Sequence, residues 1–399
     1  MSVSRRQFHR RSLATVASGL GCLGVPAMAA QQPPLVVWFS PEGAKGLRAL
    51  VGGFTRATRV PVVVETPDEG PAKFQQAASA GKGPDLYIYA HDRIGEWISG
   101  GLLHSVSPNA QMLSDIDPLA WKGFRVQGRL WGYPMALECI TLIYNKALVS
   151  RAPSTWDEVF ELERSLVKKG KHAILWDYTN NYFTWPMLAA SGGYAFRERT
   201  DGSFDGSDTG VNNAGALKGA QVLQRLIQEG VMPVGSGYPE TEAAMATGQV
   251  AMMINGPWSW VNLRRAGIDF GVTKLPALGS QRSVPFVGVK GVMVNRATRS
   301  RELCAELVEH HFLTPEGLRT INQAEPLGAV ASRSYYAELA QDPRIAGIMA
   351  SAQDGIPTPS NPEMGRFWSA MKTALTNLTE GRQTPQQALD AAARRIRQI

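Results

Sequence analysis

The sequence predicts an α/β protein built from doubly wound lobes, and three observations carry that prediction. Short apolar, β-branched runs alternate with amphipathic helical stretches through the first hundred residues. The chain has 399 residues, 44% hydrophobic and 19% charged, an ordinary globular balance and enough length for two lobes with separate cores. No repeat and no long linker divides it, so a boundary between lobes must run through short segments that cross more than once.

The elements follow in order. "PPLVVWF" (33–39) reads as a first strand, and "EGAKGLRALVGGFTRAT" as a helix with Leu47, Leu50, Val51 and Phe54 on one face. "VPVVVETP" is the next strand, "AKFQQAASAG" a helix and "PDLYIYA" a third strand. This alternation implies parallel strands, with ligands expected at their carboxyl ends. "APSTWDEVFELERSLVKKG" opens with a capping box, Thr155 to Glu158, and stops at Gly170. "NNAGALKGAQVLQRLIQEG" is another helix. In "TPQQALDAAARRIRQI", Thr384 is the N-cap, Pro385 takes the first helical position, and Leu389, Ala392, Ala393 and Ile396 form the buried stripe.

The first 29 residues read as an export signal: a basic start, a Gly- and Ala-rich apolar run, and Ala27-Met28-Ala29 as a signal-peptidase site. Ser4-Arg5-Arg6-Gln7-Phe8 resembles the twin-arginine motif, with an ordinary Sec signal as the alternative. Gly19 stands three before Cys22, where a lipobox wants a Leu-like residue, which argues against lipidation. Of the net charge of +7, four charges are Arg5, Arg6, Arg10 and Arg11, leaving about +3, too little to argue for nucleic acid. Cys139 and Cys304, the thiols outside the signal, have no CxxC spacing and read as two buried free cysteines. The adjacent His310 and His311 read as a solvated helix surface, and no other stretch is long and apolar enough to span a bilayer.

Catalytic signatures are missing: no GxSxG, HExxH, P-loop or GxGxxG after a strand, and no metal spacing among the six histidines. No cofactor or metal is expected. With an export signal, this pattern favours a secreted binder over an enzyme.

"GPDLYIYAHDRIGEWISGGLL", "YPMALECITLIYNKALV", "YFTWPMLAASGGYAF", "GQVAMMINGPWSW", "PFVGVKGVMVN", "PLGAV", "DPRIA" and "FWSAMKTA" with "GRQT" occur in that order from about Leu35 to the C-terminus. Together they resemble the maltose/maltodextrin-binding proteins of bacterial ABC importers. The resemblance implies the periplasmic-binding-protein fold: two lobes joined by a hinge, a sugar held in the interlobe cleft, and delivery of the closed form to a membrane permease. It places the N-terminal lobe at 30–137 plus about 290–338, and the C-terminal lobe at 138–289 plus about 339–399.

A sugar has apolar ring faces and polar edges, so its site needs aromatic platforms and polar side chains that donate and accept several hydrogen bonds. By the resemblance, Trp258, Trp368 and Tyr182 match platforms, Asp92 and Arg93 a polar pair after a strand, and Glu138 a sugar-contacting carboxylate. Read without it, Trp368 is a helical core residue, Asp92 a helix cap, and Glu138 a buried acid in need of a partner, either a sugar hydroxyl or a structural cation. Tyr238 is a further candidate; Trp185, Phe183 and Trp260 are assigned to packing. The chain departs from the pattern in several places. Glu42 stands in for an Asp, and Gly43 falls where the pattern has a Lys, with Lys45 the nearby cation. Tyr89 replaces a Trp, Asn180 a Glu, Lys372 an Arg, and Pro71 and Ala72 two acids. Aromatic platforms are kept better than polar contacts, which implies a glucose-type disaccharide or short oligosaccharide with altered preference. The expected protein is a monomeric periplasmic receptor for maltose- or maltodextrin-like glucosides. Alternatives are the same transport role with trehalose, another disaccharide or a polyol, and, remotely, a secreted glycosidase using Asp92 and Glu138.

Overall fold

The computed structural model describes residues 32–200 and 203–397. The export signal and Cys22 lie outside the described residues.

Two sheets organise the chain. The larger has the strand order Ala329–Val330, Tyr133–Cys139, Phe286–Asn295, Leu86–Ala90, Leu35–Trp38, Val62–Glu65, with Leu103–His104 and Ile356–Pro357 also pairing to Phe286–Asn295. Leu35–Trp38 runs parallel to both neighbours, as the strand–helix alternation predicts. Phe286–Asn295 is antiparallel to Leu86–Ala90 and to Tyr133–Cys139. The smaller sheet has the order Phe270–Thr273, Thr141–Asn145, Val250–Asn255, His172–Leu175. The chain passes from the larger sheet to the smaller through buried Ile140 alone, between the strands Tyr133–Cys139 and Thr141–Asn145. The two sheets with their helices make the two-lobe α/β fold that the resemblance implies.

Local chemistry sets the helix boundaries. Ser40, Asn213 and Thr314 cap the helices Pro41–Thr58, Ala214–Gln228 and Pro315–Ala324 with side-chain oxygens that accept N3 amides. Pro385 opens the last helix, Pro385–Arg397, whose stripe of Leu389, Ala392, Ala393 and Ile396 is buried. The helix Trp156–Leu166 shows half the expected capping box: Thr155 accepts the Glu158 amide, but the Glu158 carboxylate reaches Ser154, not Thr155, at 2.6 Å. Cys139 and Cys304 are free and buried. The two histidines separate: His310 is exposed, while His311 is half-buried with its ring edge-on to Phe54 at 5.6 Å. They lie in a π-helical turn, Val308–Phe312, which re-aims one of them inward. Among the described residues no helix is long and apolar enough to cross a membrane.

Candidate functional site

On the strand Leu86–Ala90, Tyr87 and Tyr89 are two apart and so project from the same face. Their rings stack at 5.6 Å and 8°, and Phe74 stacks beneath Tyr87 at 4.8 Å, so Tyr89 tops an aromatic pile. The strand then enters a 3-10 turn, His91–Arg93. The Asp92 carboxylate accepts the indole N–H of Trp368 at 2.9 Å, linking this turn to the helix Met364–Thr379. Arg93 pairs with Glu96 at 3.1 Å. The strand Val250–Asn255 ends in Gly256, and the 3-10 turn Pro257–Ser259 lifts Trp258 out. A Cβ on Gly256 would sit 2.2 Å from the Trp258 ring, so the indole lies flat against backbone that only glycine leaves bare. Tyr182 faces it, ring centroids 6.5 Å apart. Trp260 is 2% exposed and packs against Phe270, as expected.

These rings enclose a cavity of about 850 Å³. Of the eleven candidate residues, nine line it: Tyr89, Asp92, Arg93, Glu138, Asn180, Tyr182, Trp258, Trp368 and Lys372. Asn180 also caps the helix Asn181–Ala189, its carbonyl oxygen accepting the Tyr182 amide at 3.2 Å. Glu42 and Tyr238 are not among the lining residues. Glu42 sits in the first turn of the helix Pro41–Thr58, where the helix dipole favours an acid, and pairs with Lys45 one turn on. Neither Glu42 nor Lys45 is among the residues that line the cavity. Nor can a side chain at 43 do so, since its Cβ would lie 2.4 Å from the Phe39 ring and 2.5 Å from the Glu325 carboxylate. Tyr238 lies behind Phe183, ring centroids 6.2 Å apart, and donates its hydroxyl hydrogen to Glu242 at 3.1 Å.

The partner of Glu138 is a cation that sequence reasoning missed. Lys290 holds Glu138 at 3.1 Å and Glu325 at 2.8 Å, and all three line the cavity. Burial alone would lower the Lys290 ammonium's pKa, but the two carboxylates more than offset it and raise the value. Burial likewise works to raise Glu325, and Lys290 and the Ser40 hydroxyl hold it below the usual range. Asp177, Asn181 and Thr358 also line the cavity without having been singled out. The side chains of Asn181, Tyr182 and Thr358 carry buried polar atoms with no hydrogen-bond partner among the described residues. Such groups are uncommon, and here they line a cavity. Four carboxylates (Asp92, Glu138, Asp177, Glu325) stand against three cations (Arg93, Lys290, Lys372), so the lining is close to neutral.

Two titratable groups at the mouth of the strand oppose each other. Burial raises Asp92 to about 6, against the pull of Arg93 and the Trp368 N–H. Burial lowers His91 to about 4. Its Nδ1 accepts the Val289 amide at 2.9 Å and its Nε2 faces the Thr358 carbonyl at 3.1 Å, which fixes the neutral Nε2–H tautomer. Between pH 4 and 6 the folded state binds fewer protons at His91 than the unfolded chain, so His91 stability is lost on acidification; at Asp92 it binds more, so Asp92 stability is gained. Asp92→Asn removes the compensating slope. Its melting temperature should therefore fall more steeply than that of the unaltered protein as pH drops from 6 to 4, which parallel thermal melts would show; identical slopes would contradict it.

The profile described as bacterial extracellular solute-binding protein matches residues 40–316. The chain belongs to this family. Among solute-binding proteins of known name, it is 32% identical to a galactooligosaccharide-binding protein of Bacillus subtilis, over 90% of this chain and 87% of that one. It is 28% identical to a maltotriose-binding protein of Pyrococcus abyssi, over 80% and 71% respectively. A Bacillus subtilis maltodextrin-binding protein is 25% identical over 80% of this chain and 78% of its own.

Proposed function

We propose that this solute-binding protein is a non-enzymatic receptor for a neutral short oligosaccharide, which it passes to an ABC-transporter permease. The observation that carries the reading is the cavity itself. Its aromatic platforms, Tyr89, Tyr182, Trp258 and Trp368, stand among unpartnered polar atoms and a nearly balanced set of charges. Apolar ring faces fit the platforms, hydroxyls fit the orphaned polar groups, and a strongly charged solute has no net field to hold it. The family and the names of the relatives support a binder over a glycosidase.

The lobes, taken as 30–137 with 290–338 and 138–289 with 339–399, close on the sugar because it touches both only in the closed state. The protein acts as a monomer in the periplasm, exported through the twin-arginine route. Maltose- and maltodextrin-like glucosides are the first reading for the ligand. The 32% identity to a galactooligosaccharide-binding protein favours a second, a galactose-containing oligosaccharide in the same cavity.

Tryptophan-fluorescence titration with maltose, maltotriose, galactobiose, trehalose, sucrose and a polyol tests this. A saturable response to at least one oligosaccharide is expected; silence across the whole panel would sink the reading. Affinity should also depend on pH. A hydroxyl donated to ionised Asp92 lowers that group's pKa in the complex, so binding weakens as pH falls below about 6 and levels off above it. Titrations at pH 5 and 7.5 check this: the ratio of the two affinities should shrink toward one in Asp92→Asn.

A further inference from the structure

The floor of the cavity is formed by two paired strands. Gly288 lies directly opposite Glu138 in the antiparallel register, and Lys290 is two residues beyond Gly288, hence on the same face. Lys290 is therefore the diagonal neighbour of Glu138, which a long side chain reaches. A Cβ on Gly288 would meet nothing nearer than 3.7 Å, so glycine at this position clears space above the floor instead of avoiding a clash.

Hydrogen-bonding capacity is left over at this spot. An ammonium has three donors. Glu325 and Glu138 take two of those on Lys290, and no third acceptor stands among the described residues. Glu325 is engaged on both oxygens, Oε1 with Lys290 and Oε2 with the Ser40 hydroxyl. Glu138 contacts Lys290 through Oε1, and no described residue donates to its Oε2. The Tyr182 hydroxyl and Thr358 Oγ1, both buried and without partners, line the same cavity.

We infer that Lys290 and Glu138 form a donor–acceptor pair that reads two hydroxyls on adjacent carbons of the ligand's innermost sugar ring, over a floor kept open by Gly288. Lys290 donates to one hydroxyl and Glu138 Oε2 accepts from the other, while Glu325 holds the ammonium in place. The pair selects a ring that presents an unsubstituted vicinal diol, and it rejects deoxy or substituted rings at that end. The inference rests on the oligosaccharide reading above.

The test uses maltotriose and galactobiose. For whichever binds the unaltered protein more tightly, calorimetry compares it with its terminal-ring monodeoxy analogues. At least one analogue should bind about tenfold or more weakly, as expected for a lost hydrogen bond to a charged group. In Lys290→Gln/Glu325→Gln, which removes one charge of each sign, that penalty should drop below about threefold. Gly288→Val, a substitution a strand tolerates, should melt like the unaltered protein yet bind the parent sugar at least about tenfold more weakly. Deoxy discrimination unchanged in the double variant, or full affinity in Gly288→Val, would overturn the inference while leaving the receptor reading intact. Failure of both sugars to bind the unaltered protein would overturn the inference, and silence across the whole oligosaccharide panel would overturn the receptor reading as well.

Discussion

Lys290→Met is expected to lower folding stability by about 3–5 kcal/mol, the cost of leaving a buried charge without its partner. The lysine side chain is 13% exposed and its two carboxylate partners 14% and 4%, so water cannot replace it at Glu325. Removing it leaves two acids facing each other beside the N-terminus of the helix Pro41–Thr58, with only neutral donors, the Ser40 hydroxyl and the Gly43 amide, left at the inner one. Urea denaturation measures the change. Lys290→Met/Glu325→Gln should recover much of the loss, because one of the two stranded charges is gone. A single variant as stable as the unaltered protein would show that the pair contributes nothing.

Trp258→Ala is expected to weaken oligosaccharide binding by at least tenfold, about 1.4 kcal/mol, with little effect on stability. Trp260→Ala should do the opposite. Its ring is fully buried between Phe270 and the Arg344 guanidinium, and truncating a core aromatic typically costs about 3–5 kcal/mol. Two tryptophans separated by a single residue are thus expected to divide into a cavity-lining ring that binds ligand and a packing anchor. A melting curve and a titration on each variant separate them; equal effects of the two substitutions on affinity would remove the distinction.

The parts of the fold governed by local rules were readable. Strand–helix alternation announced the parallel core around Leu35–Trp38, and Thr155 and Pro385 marked helix starts by local chemistry that acts within a few residues. That Trp258 and Tyr182 line a cavity was readable because each ring follows a local break, a Gly-Pro turn or an Asn-Asn pair, that turns it away from the strand or helix core. What stayed hidden depends on distant partners. Nothing in "PFVGVKGVMVN" says that its lysine meets Glu138 and Glu325, since that follows from strand register and one diagonal contact. Glu42 falls outside the cavity lining, where an acid at a helix start satisfies the helix dipole and an i,i+3 lysine at once. Tyr238, at the start of the helix Tyr238–Ala246, also falls outside the lining and forms a second layer behind Phe183. Asn181 and Thr358 gave no sequence signal; only the cavity reveals that their polar atoms are unpartnered.

The cavity lined by Trp258, Tyr182, Trp368, Tyr89, Asp92 and Glu138 is expected to hold a neutral oligosaccharide. Isothermal titration calorimetry with maltotriose, galactobiose and glycerol 3-phosphate tests it most directly. The expected result is one-to-one binding of at least one oligosaccharide near micromolar affinity, about −8 kcal/mol, with no binding of the phosphate ester. Binding of glycerol 3-phosphate in place of both oligosaccharides would make this a receptor for an anionic solute instead.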